Sequence, residues 1–168
     1  MEKLKKIIES KYIKIIFIIL FLTWCIVIFL LSHQQGNDSG SSSLQIIEYI
    51  INNILSLELD LDKLEYINSI FRTFMHGFVY FVLSFLMLIN CSFFKINNKY
   101  FITIIFTLIY SITDEIHQHF IPGRFCDIND IIVDQIGNIS AVIVFAIIQK
   151  IINNIYIKKK LYLKEGEK

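Results

Sequence analysis

Ile15 to Leu31 reads IIFIILFLTWCIVIFLL, an unbroken apolar run without a charge. A helix apolar on every side belongs in a large core or in a bilayer, and 168 residues leave little material for wrapping such a run. Three further stretches follow it. Phe74 to Phe94 carries only His76 as a possible charge, Tyr100 to Thr113 is largely apolar before it meets Asp114-Glu115, and Ile128 to Ile152 holds Asp130 and Asp134. Each is close to the roughly 20 residues that a membrane-spanning helix needs. The composition agrees, with 55% hydrophobic and 18% charged residues, against about 45–50% and about 25% in soluble domains. It excludes intrinsic disorder, which needs low hydrophobicity. A net charge of +1 gives no support to nucleic-acid binding, and three cysteines do not make a disulfide scaffold. The expected fold is all-α and integral to the membrane: a four-transmembrane-helix bundle with spans at about 15–31, 74–94, 100–119 and 128–152.

Basic residues set the expected orientation. Thirteen of the 16 precede the first span, separate the second from the third, or lie at or beyond the end of the fourth; Lys63, Arg72 and Arg124 alone fall on the other side. Residues 1–14 are therefore expected to be a cytoplasmic basic N-terminus and residues 153–168 a cytoplasmic Lys-rich tail, around a membrane domain at 15–152. The protein is placed in the cell membrane as a multi-pass chain with both ends inside. The first run is long for a signal h-region and lacks a small-x-small cleavage site, so it reads as an uncleaved anchor.

Ser32 to Thr73 is then extracytoplasmic. Gly36 to Ser43, GNDSGSSS, reads as a flexible turn region. Ile46, Ile47, Ile50, Ile51, Ile54 and Leu55 recur at helical spacing, which predicts an amphipathic segment lying in the interface or packed on the bundle.

Ionisable residues inside spans are functional candidates by default, because burying them is costly. At 1.5 Å per residue, Asp114, Asp130, Asp134 and His76 fall at one depth, near the outer face. Arg72, His76, Tyr80 and Ser84 share one helical stripe, as do Asp127, Asp130, Asp134, Gly137 and Ala141. Gly137 and Ala141 form a small-x-x-x-small pair that admits a close neighbour. Asp114, Glu115, Asp127, Asp130 and Asp134 are five acids within 21 residues, with Arg124 the sole base among them. Carboxylates held this close do not all ionise unless a cation compensates them. The cluster leaves room for a divalent cation, but there is no recognised metal motif, and no metal ligand or cofactor is assigned.

The segment Asp114-Glu115-Ile116-His117-Gln118, then Phe120-Ile121-Pro122-Gly123-Arg124, then Asp130 and Asp134 before Gly137, resembles the VanZ-like family. Trp24 followed by Ser32-x-Gln34 and a Ser-rich stretch, and His76 with Tyr80 four residues on, agree with it. The resemblance covers residues 15 to about 150. It implies four transmembrane helices, a place in the bacterial cell envelope and a link to glycopeptide (teicoplanin-type) resistance; it names no molecular activity.

Three classes of function stay open. As an enzyme, the chain would act at the outer leaflet on a membrane lipid or lipid-linked precursor, with Glu115, Asp134 and His76 as catalytic candidates. Arg124, Gln118, Asp130, Asp114, Arg72 and Tyr80 would bind the substrate. As a binder, it would hold a lipid, drug or partner in the same pocket without chemistry. A proton or ion carrier ranks last, since no polar stripe is expected to continue to the inner face. Oligomeric state is not legible.

Overall fold

A computed structural model describes residues 11–165 apart from Gln35, Leu55 and Glu58. Lys3, Lys5, Lys6 and Lys168, which entered the charge bias, lie outside the described residues. The described residues form five α-helices: α1 Lys11–Ser32, α2 Gly36–Tyr49, α3 Leu61–Phe93, α4 Lys99–Gln118 and α5 Ile128–Glu165. A π-helical turn, Ile50–Ile54, continues α2. The end of the bundle where α1 and α4 finish and α5 begins is called the upper end below.

By length and composition α1, α3 and the Ile128–Lys159 stretch of α5 can cross a membrane, which marks the chain as a membrane protein. The expected third span, α4, does not reach that apolarity. One face of it is polar and faces inward: Thr103, Thr107, Ser111, Glu115 and Gln118 are all at most 4% exposed. The opposite face, Phe101, Ile105, Ile109, Ile112 and Ile116, is exposed. The helix thus inverts the polarity of a helix on a soluble core, and its low hydropathy follows.

One expectation needs correction, and two helices run past the spans expected within them. Gly36 to Ser43 is not a turn region: it opens α2. Asn68 Nδ2 on α3 donates to the Gly40 carbonyl at 3.4 Å and Ser43 Oγ donates to it at 3.0 Å, so tertiary contact overrides weak local propensity. The second span is the lower part of a longer helix, and Arg72 lies within that helix. The fourth helix does not stop at Ile152 but runs to Glu165.

The absence of a polar stripe toward the far end is also overturned. Below Asp134, Ser84 Oγ donates to Asn138 Oδ1 at 2.9 Å and meets Thr107 Oγ1 at 3.1 Å. This layer joins α3, α4 and α5, and all three side chains are fully buried. Thr103, one turn further down α4, is fully buried as well.

Of the amphipathic segment, Ile47 and Ile51 bury against Leu64, with Leu44, Ile67 and Phe71 around them. Ile46 and Ile54 stay exposed, and Leu55 lies outside the described residues. The segment therefore packs on the first turns of α3 along one edge only. α1 is tied in by Trp24 Nε1–H donating to the Val79 carbonyl at 3.0 Å and by Tyr110 O–H donating to the Cys25 carbonyl at 2.8 Å.

The central contact joins α3 to α5. A Cβ on Gly137 would run into the Gly77 carbonyl, whereas one on Gly77 would sit 3.3 Å from the Val133 carbonyl. The two backbones touch, as the small-residue pair on α5 anticipates. Adding a methyl at Gly137 must push the helices apart, an overpacking cost of about 1–3 kcal/mol or more. The expected order of thermal stability in detergent is native, then Gly77→Ala, then Gly137→Ala. Equal midpoints for Gly137→Ala and the native protein would show that the helices are not held this close.

Candidate functional site

At the upper end the three polar helices converge. α3 carries Arg72, His76 and Tyr80 one turn apart, α4 brings Asp114 and Gln118, and the α4–α5 loop brings Arg124; these six line one cavity of about 340 Å³. That size lies within the roughly 300–1,000 Å³ of small-molecule sites. Ile28, Leu31, Ile46, Phe71, Met75 and Val79 form its apolar wall. Arg72 and Tyr80 are two turns apart, about 12 Å along the helix, so the cavity has an arginine level and a deeper tyrosine level.

A second cavity, of about 270 Å³, is lined by Glu65, Asn68, Thr73 and Asp130 together with the same Arg72 and His76. These two side chains therefore form the partition between the cavities. Asp130 belongs to the second cavity and does not line the first.

Asp134 and Glu115, each 1% exposed, sit behind the cavity walls. Asp134 Oδ2 accepts a hydrogen bond from Ser111 Oγ at 2.6 Å, and its Oδ1 lies 3.7 Å from His76 Nδ1. The latter is an ion-pair distance, longer than a closed hydrogen bond. The short bond to Ser111 fixes the carboxylate, and the carboxylate in turn faces the one imidazole that reaches both cavities.

Glu115 turns away from the cavities: its Oε2 accepts the Asp127 backbone N–H at 2.9 Å. Asp127 also starts α5, with its Oδ1 accepting the Asn129 N–H at 2.9 Å as an N-cap. Between these anchors the chain turns at Pro122-Gly123, where Gly123 adopts a φ of 76° that other residues avoid. Arg124 N–H closes the turn on the Ile121 carbonyl at 3.1 Å. The loop thus aims Arg124 at the cavity, where its Nη2 donates to the Leu31 carbonyl at 3.2 Å and its Nε has no partner.

Arg124 makes no ion pair among the described residues, neither to Asp127 nor to Asp130, and Arg72 makes none either. Burial first, and then the like charge of Arg72, pull the Arg124 guanidinium below its usual pKa, while Asp114, Glu115 and Asp130 oppose the shift. Asp114 Oδ2 accepts from Gln118 Nε2 at 3.2 Å. Among the described residues no group of three or more His, Cys, Asp or Glu side chains is disposed to hold a metal ion.

Sequence reasoning missed two features here. Ser111, which fixes Asp134, was hidden in an apolar stretch, though Thr103, Thr107, Ser111 and Glu115 recur every four residues. His33 and His117 were not linked either: His33 Nδ1 and His117 Nε2 lie 3.3 Å apart at the exposed upper surface, with Phe29 stacked on His117.

The anchoring of the loop through Glu115 gives a direct test. Glu115→Gln keeps an acceptor for the Asp127 N–H, and Glu115→Ala removes it. In detergent, trypsin is expected to cut after Arg124 at least several-fold faster in the Ala variant than in the Gln variant or the native protein. Equal rates in all three would show that Glu115 does not hold the loop.

No curated protein and no solved structure matches this chain. The family profile described as VanZ/LLP1 matches residues 17–149. That stretch contains α1 from Phe17 onward, the convergent end of the bundle and every residue of the two cavities. The chain belongs to the VanZ/LLP1 family.

Proposed function

We propose that the protein takes an anionic lipid or a lipid-linked envelope precursor from the outer leaflet and handles it in the upper cavity. The observation that carries this reading is the arginine pair. Arg72 and Arg124 line one cavity, stand close enough to repel, and among the described residues neither has an acidic partner. Two like charges held against an apolar wall are stabilised by an anion placed between them, and a guanidinium offers a phosphate two parallel donors.

The topology behind this reading has four spans, with α4 as the fourth crossing helix, the α2 segment outside, and both ends in the cytoplasm. The outward row Phe101, Ile105, Ile109, Ile112 and Ile116 supports it, as does the distribution of the basic residues. In a Cys126→Ser background, which removes the exposed native thiol, labelling by an impermeant thiol reagent in intact cells is expected for Asn37→Cys and not for Lys164→Cys; labelling of the latter would reverse the tail.

Within the enzyme reading, His76 is the proton acceptor. Asp134 faces its Nδ1, which leaves Nε2 for the cavities, and Ser111 holds Asp134 in place. Asp130, in the second cavity, adds negative charge beside the imidazole. Glu115 is then a positioning residue and not a catalytic one. The binder reading is favoured by the 3.7 Å between His76 and Asp134, and catalytic contacts often tighten only with substrate bound. A non-catalytic grip on a cell-wall precursor, or on a glycopeptide drug, would be its route to resistance. The carrier reading stays last, because the Asn138 amide breaks the buried hydroxyl series.

Lipid and precursor profiling of cells with and without the protein tests the substrate class. If the protein is an enzyme, His76→Gln is expected to slow turnover of the affected species by about 10²–10⁴-fold at unchanged membrane abundance. Arg72→Gln is expected to weaken binding by roughly tenfold or more. Full activity in His76→Gln leaves the binder. An unchanged lipid profile, with no binding of an anionic lipid, removes both.

A further inference from the structure

We propose that the ligand of the upper cavity carries, beyond its phosphate, a neutral hydroxyl-rich headgroup of the sugar or polyol class, seated at the tyrosine level. This rests on the anionic-lipid reading of the same cavity and narrows it.

Four polar side chains from three helices meet at that level: Ser32 of α1, Tyr80 of α3, and Asp114 and Gln118 of α4. Ser32, Tyr80 and Gln118 are 3%, 2% and 4% exposed. The Ser32 and Tyr80 hydroxyls reach the Asp114 carboxylate in long, weak contacts, and neither closes a hydrogen bond of full geometry. Buried hydroxyls are ordinarily paired. Two unpaired ones lining the same cavity are therefore placed for a group that comes from outside the chain.

The mixture of groups selects the class. Gln118 occupies one oxygen of Asp114, which leaves the other to accept, while the Ser32 and Tyr80 hydroxyls both donate and accept. A ligand hydroxyl answers all three, because it also donates and accepts. An amine does not fit as well: two guanidiniums face one carboxylate in this cavity, so a cationic headgroup meets net repulsion. A bare phosphate held at Arg72 would leave the tyrosine level, about 12 Å further along α3, unused. Leu31, Ile46, Phe71 and Met75 remain for the tail.

The test uses the full chain in phosphatidylcholine nanodiscs and four probes: inorganic phosphate, decyl phosphate, decyl phosphate esterified to a hexose, and decyl phosphoethanolamine. The hexose ester is expected to bind about tenfold more tightly than decyl phosphate or the ethanolamine ester. Inorganic phosphate is expected to bind most weakly, since it brings neither tail nor headgroup. Tyr80→Phe and Ser32→Ala are each expected to erase roughly three- to tenfold of the hexose advantage, read as the ratio of hexose-ester to decyl phosphate affinity within the same variant. A hexose ester that binds no better than decyl phosphate overturns the inference, as do variants that weaken every probe equally. If binding of decyl phosphate needs Arg72 but ignores the headgroup, only this inference falls. If no probe binds, or Arg72→Gln changes nothing, the anionic-lipid reading falls and this inference with it.

Discussion

The touch of two backbones at Gly77 and Gly137 is the constraint on which the site depends. His76 is next to Gly77 in α3, and Asp134 lies one turn before Gly137 in α5. Side chains as short as histidine and aspartate meet across a helix pair only where the axes approach closely. Two glycines remove the Cβ atoms that would otherwise keep them apart. The same approach lets Ser84 reach Asn138 two turns below. One packing contact thus sets both the candidate proton acceptor and the first polar layer beneath it.

That layer has its own logic. Lipid offers no hydrogen bonds, so polar side chains in a bilayer must find each other. Ser84, Asn138 and Thr107 do so across three helices, and Ser111 with Asp134 repeats the pattern one turn higher. Each such bond contributes modestly, about 0.6 kcal/mol on average. Their joint effect is register: a helix that slides or rotates strands several buried polar atoms at once. Rigid support of this kind is what a fixed Asp134 needs, and it is why Asp134 can sit fully buried while His76 beside it stays reachable.

Much of this was legible in the sequence because helical arithmetic is local. The run Ile15–Leu31 is apolar at every position, so no partner is needed to read it. The stripe Arg72, His76, Tyr80 and Ser84 follows from steps of four, and the structure keeps those residues on one inward face. What was illegible depended on partners distant in the chain. Glu115 reads as one more acid in a cluster; only the fold shows its carboxylate turned to a backbone N–H twelve residues on. Gly36 to Ser43 reads as a loop from its glycines and serines, and becomes helix because α3 supplies a docking surface. Thr103, Thr107 and Ser111 go unremarked in a largely apolar stretch, although their spacing is the trace of a buried polar face.

The inverted face of α4 has a consequence for how the chain is built. On the four-span reading, a helix whose inward side holds Thr103, Thr107, Ser111, Glu115 and Gln118 gains little by entering lipid alone. It becomes favourable when α3 and α5 cover that side. Only Phe94 to Asn98 separates α3 from α4, so the first cover is the helix synthesised just before it. Biogenesis then has an order. On that reading α4 is expected to stay against α3 until α5 emerges, so that the three enter the bilayer as one unit rather than as successive spans.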